Sequence, residues 1–84
     1  MTTATKDDEI LTRLNTIFRD VLDDDDVVLT PATVADDVEG WDSLAHVRLM
    51  LTVERAFSLK FTAAQVGRLK NVGDLVALIA DRLP

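Results

Sequence analysis

From Glu9 to Leu22 the apolar residues fall at Ile10, Leu11, Leu14, Ile17, Phe18, Val21 and Leu22. Steps of three and four put them on one face of a helix. The pattern stops at Asp23-Asp24-Asp25-Asp26, where adjacent carboxylates repel one another and face the negative end of a helix dipole. This run reads as a solvated acidic turn. A calcium loop would need spaced acids, a central Gly and a closing Glu. A long connection follows from Val27 to Trp41, with Leu29, Val34 and Val38 as anchors to a core. Thr30-Pro31 suits the start of a short helical turn, because Thr can cap and Pro fits the first helical position. Loops of this length with little structure of their own are functional or disordered, and the interspersed Val and Leu favour the ordered kind.

A second helix is expected from Ser43 to Phe57, carrying Leu44, Val47, Leu49, Met50, Leu51, Val53, Ala56 and Phe57. That set is too broad for one narrow stripe, so part of it must face outwards or a neighbour. Asp42 is placed as its N-cap, and Gly40 gives the backbone freedom to turn in. Thr62-Ala63-Ala64-Gln65 has capping-box spacing and should open a short third helix ending near Gly67. Asn71-Val72-Gly73-Asp74 can cap the last helix, whose core face is Leu75, Val76, Ile79, Ala80 and Leu83. The expected fold is all-α: a four-helix bundle with a long first loop and a short third helix, one domain over 1–84 with its core about 9–83. Leu14, Phe18, Leu49, Phe57, Leu75 and Ile79 should be buried at its centre.

Composition agrees with helices and narrows the chemistry. Of 84 residues, 48% are apolar but only 5% aromatic, so the core is built from aliphatic residues with three Phe as larger fillers. Cysteine is absent, which removes disulfides, thiolate metal sites and a catalytic Cys, and suits a reducing cytoplasm. The start Met1-Thr2-Thr3-Ala4-Thr5-Lys6 lacks the order of a secretory signal, and no apolar run approaches a membrane span. The net charge of −6 is unevenly spread: residues 1–42 hold 12 of the 15 acids and 3 of the 9 bases, so the first half carries −9 and the second +3. Acidity of this kind argues against nucleic acid and anionic lipid as partners and for proteins with basic surfaces.

The informative string is Asp36-Asp37-Val38-Glu39-Gly40-Trp41-Asp42-Ser43-Leu44, where the long loop enters the second helix. Here the chain resembles the acyl carrier protein family, whose attachment site is an Asp-Ser-Leu at that place. The likeness spans roughly residues 9–83 through size, helix order, the long first loop and the apolar spacing downstream. It implies a carrier and not an enzyme, with 4'-phosphopantetheine from coenzyme A on Ser43 holding acyl groups as thioesters. A serine at a helix start suits this chemistry physically, since unpaired amides and the positive dipole end favour an anion there. By the same resemblance Asp42 caps the helix and helps a phosphopantetheinyl transferase and its metal ion position Ser43, while Leu44 and Val47 become surface contacts. The expected partner-binding set is Trp41, Val47, Arg48, Leu51, Glu54 and Arg55. The partners implied are that transferase and acyl-loading or acyl-processing enzymes such as a ketosynthase or acyltransferase, met by a monomer.

Competing chemistries fare worse. Ser43 and His46 lie three apart on one helical face, but there is no Gly-x-Ser-x-Gly elbow and no oxyanion site, so a serine hydrolase is not expected. His46 is the only histidine, which argues against a metal site and leaves it a solvent-exposed or partner-facing role. Trp41 reads first as a staple against the helix start and second as a contact for the arm or a partner. Carriers of primary fatty acid synthesis usually present an acidic second helix, whereas this one has Arg48 and Arg55 against Glu54 alone, for a local charge of +1. That departure favours a polyketide or other specialised acyl pathway. A peptidyl or aminoacyl carrier fits less well, because Trp41-Asp42 stands where those tend to have a second Gly. A helical adaptor binding a partner through Leu44, Val47, Arg48 and Leu51 without a cofactor is the main alternative.

Overall fold

The computed structural model describes residues 5–83, and four α-helices with one short 3₁₀ turn make up their regular structure. Helix α1 spans Lys6–Leu22, α2 Ser43–Phe57, α3 Ala63–Gly67 and α4 Val72–Arg82. The first helix begins three residues before Glu9. Its apolar stripe starts only at Ile10, but Thr5 accepts from the Asp8 amide while the Asp8 carboxylate accepts from the Thr5 amide. That reciprocal cap extends the helix by one polar turn that periodicity does not mark. The C-terminus falls at Leu22, and Asp23 takes a left-handed conformation with φ 51° that closes the helix through its amide.

One core joins these elements. Leu14 and Phe18 of α1, Leu49 and Val53 of α2, and Val72, Leu75 and Ile79 of α4 are fully enclosed, with Val27 and Leu29 of the first loop buried beside them. All six residues expected at the centre are there, Phe57 included. The exposed remainder of α2 is equally definite: Leu44, Val47 and Leu51 are 79%, 57% and 51% exposed, so this helix buries one side and shows a second apolar side to solvent.

The long first loop is fixed by polar bonds as much as by its apolar anchors. The Leu29 amide donates to Asn15 Oδ1 at 2.8 Å, and Arg19 Nε donates to the Val27 carbonyl at 2.7 Å, both from α1. On its other side, the Pro31 and Thr33 carbonyls accept from the Gly73 and Val72 amides, each at 2.8 Å. The first amides of α4, which have no intrahelical acceptor, are thus satisfied by the loop. Thr30-Pro31 opens a single turn closed by the Thr33 amide on the Thr30 carbonyl, not a helical one. The Thr33 hydroxyl, accepting from the Thr30 amide, competes for the local geometry. The helical turn comes instead at Ala35–Asp37, where the Asp37 carboxylate accepts from the Val34 amide.

Candidate functional site

The approach to α2 is built in three steps. Gly40 adopts φ +87°, a left-handed conformation that is strained for other residues, and reverses the chain. Trp41 then turns inward and meets the enclosed Phe18 edge to face, ring centroids 4.8 Å apart and planes at 87°. Asp42 takes the N-cap, its carboxylate accepting from the Ala45 amide at 2.8 Å. The following residue, Ser43, is the first of the helix and is exposed. Its hydroxyl stands where the first-turn amides are free of intrahelical partners and the dipole is positive.

An open hollow lies over this point, lined by Ala35, Asp36, Trp41, Asp42, Ser43 and His46. A narrow cavity of about 60 Å³ runs inward behind it, between Trp41, His46 and Met50 on one side and Leu69, Lys70, Asn71 and Leu75 on the other. His46, expected in a solvent-exposed or partner-facing role, is not fully exposed in the structure. It is half-buried, its Nδ1 accepts from Trp41 Nε1–H at 3.1 Å, and the two rings stack with centroids 6.0 Å apart. The cause is the helical spacing, which brings position 46 back over the turn that Trp41 packs against.

Of the other expected contact residues, Leu44, Val47, Arg48, Leu51 and Arg55 are all exposed on α2. Glu54 has an internal task. It is half-buried, and its carboxylate accepts from the Phe61 amide at 2.7 Å, holding the segment that leads into α3. Sequence reasoning missed Gly73, whose amide reaches Pro31, and Arg13, whose guanidinium donates to the Ala56 carbonyl at 2.6 Å and lies 4.1 Å over the Phe57 ring. Arg13 is a polar residue three positions from Ile10, at the edge of the α1 stripe, which is the one signal that could have suggested a bridging role. Among the described residues no group of acidic or histidine side chains could hold a metal ion. No helix there is long and apolar enough to cross a membrane.

An exposed hydroxyl at a helix start, with open space above it and no hydrogen bond to a base among the described residues, His46 Nδ1 being taken by Trp41, fits a group that is covalently attached by another protein. It does not fit a nucleophile that must act by itself. Phosphopantetheine meets those requirements: a phosphodiester suits free amides, and its arm needs the open hollow.

Comparison with known proteins points the same way. A family model described as "Phosphopantetheine attachment site" matches residues 12–79. No curated protein matches. Among solved structures, the chain is similar to a holo acyl carrier protein from Geobacter metallireducens determined by solution NMR, with 44% identity and a TM-score of 0.82 over 87% of this chain and 84% of that one. The cofactor-free adaptor reading is thereby set aside. The chain belongs to the phosphopantetheine-binding acyl carrier protein family, whose members carry a covalent 4'-phosphopantetheine and are carriers, not catalysts.

Proposed function

We propose that the arm is attached at Ser43 and that the whole chain acts as one carrier domain in a polyketide or other specialised acyl pathway. The observation that carries the attachment site is the exposure of Ser43 at the first position of α2, behind the Asp42 cap and beneath an open hollow. The bound arm supplies a terminal thiol on which acyl groups are held as thioesters, a function this cysteine-free chain has no side chain to perform. Asp42 keeps the first turn rigid and its carboxylate directed at Ala45, so the hydroxyl is presented to a transferase from a fixed backbone. Trp41, with its ring against Phe18, sets the angle at which the loop delivers Asp42.

Partner enzymes meet α2 on Leu44, Val47 and Leu51, flanked by Arg48 and Arg55, with Trp41 and Glu54 at the margins of that surface. The basic pair is what favours a specialised pathway, because an enzyme with a uniformly basic docking patch is repelled by it. A cytoplasmic monomer, loaded there from coenzyme A, completes the reading.

The test is intact mass after incubation with coenzyme A and a promiscuous phosphopantetheinyl transferase. Wild type should gain one arm and Ser43→Ala none. Ser58 is the other serine, and it caps the C-terminus of α2 in a left-handed conformation, φ 56°, at the negative end of the dipole where an added anion is disfavoured. Labelling that persists in Ser43→Ala would move the site there.

A further inference from the structure

The Trp41–His46 hydrogen bond has a chemical consequence for whatever is attached at Ser43. An indole N–H can only donate, so His46 Nδ1 must be unprotonated to accept from it. The ring proton then resides on Nε2, which has no hydrogen-bond partner among the described residues. Nor is that nitrogen sealed off, since no buried side-chain N or O lacks a partner there. It is an open donor whose tautomer is fixed from behind by Trp41.

Its position relative to Ser43 follows from helix geometry. Residues three apart share a face, and helical side chains lean toward the N-terminus, so His46 covers the turn that begins at Ser43. Both line the same hollow, and the other titratable groups there are the carboxylates of Asp36 and Asp42. Around the rest of the ring, Lys70 borders the inner cavity and Glu54 the groove toward α3. A phosphodiester monoanion on Ser43 therefore enters a space with two carboxylates and one unused side-chain N–H donor.

We propose that His46 Nε2–H holds the phosphodiester of the arm, and that Trp41 is the positioning residue that makes it a donor. The inference rests on Ser43 as the attachment residue. With the phosphate held, the root of the arm is fixed beside α2 in place of swinging freely from a serine ester.

The test uses the full chain in apo and holo forms, with loading verified by intact mass. Long-range proton–nitrogen spectra of the sole histidine should show the Nε2–H tautomer in both forms, with the Nε2 resonance shifted on loading. The phosphorus resonance of the holo protein should move and sharpen in His46→Leu, and lie nearer wild type in His46→Gln, whose amide retains a donor. Trp41→Phe, compared only as protein whose loading is complete by intact mass, should mix the tautomers and weaken the phosphorus effect. Circular dichroism of each variant verifies the fold. Unchanged Nε2 and phosphorus signals in fully loaded protein, with His46→Leu indistinguishable from wild type, would overturn the proposal. Failure to load at Ser43 would instead sink the attachment reading itself.

Discussion

The Gly73 amide donates to the Pro31 carbonyl at 2.8 Å, and a Cβ added to Gly73 would lie 2.9 Å from that same oxygen. A glycine near the start of a helix ordinarily loses up to about 1 kcal/mol against alanine. Here the contact reverses the sign, because the obstructing atom is backbone and the first loop must shift to clear it. Gly73→Ala should destabilise the fold by about 1–3 kcal/mol in chemical denaturation. Gly67, with nothing within 4 Å of its added Cβ, is the control, and Gly67→Ala should be neutral or stabilising. If Gly73→Ala matched or exceeded wild type, the loop would be yielding at Pro31.

Phe57 ends α2 with its ring buried beneath the Arg13 guanidinium. Phe57→Ala should cost about 3–5 kcal/mol, which is most of the stability of a domain this small. Arg13→Ala removes a donor to the Ala56 carbonyl and a cation over the ring, both at the exposed rim, and should cost about 1 kcal/mol. A thermal midpoint unchanged by Phe57→Ala would contradict its burial.

Asn15 is the sole polar anchor that α1 offers to the Leu29 amide. Asn15→Leu leaves that amide without its acceptor beside a buried side chain, at about 1–3 kcal/mol. Asn15→Asp retains the acceptor and should recover much of the loss. Equal losses in the two variants, measured by urea unfolding, would show that the amide bond contributes little.

Arg48 and Arg55 are exposed on the same helix as the exposed apolar residues Leu44, Val47 and Leu51. Changing both to Glu should raise turnover by fatty acid synthase enzymes with basic docking patches and lower it with the cognate enzymes. The effect should lie mainly in association and shrink as salt is raised. Identical kinetics with both enzyme sets at low salt would remove charge as the basis of partner choice.

Much of this was legible because helical burial leaves a direct trace in sequence. Leu14, Phe18, Leu49, Leu75 and Ile79 could be placed by periodicity, and α2 was bounded correctly by the Asp42 cap and the end of its apolar pattern after Phe57. The excess of apolar positions on α2 foretold that part of the helix faces outwards, and the family resemblance singled out Leu44 and Val47, which with Leu51 are the exposed ones. What stayed hidden were contacts between residues distant in sequence that carry no periodic mark. Asn15 to Leu29, Arg13 to Ala56 and Gly73 to Pro31 are single polar or backbone pairings set by how elements dock. The bond of His46 to Trp41 stayed hidden for a related reason: one polar residue on a helix reads as surface unless its partner's direction is known, and the Trp41 ring packs inward against Phe18.

The pairing of the first loop on both flanks has a dynamic consequence. Its bonds to Asn15 and Arg19 on one side and to the amides of Val72 and Gly73 on the other mean that the stretch from Val27 to Thr33 cannot loosen without freeing the first amides of α4. Amide hydrogen exchange at Leu29, Val72 and Gly73 should consequently proceed through one shared opening, with similar protection at all three. The first half of the loop thus opens with the body of the fold, and freedom of motion is left to the stretch between Val34 and Asp42.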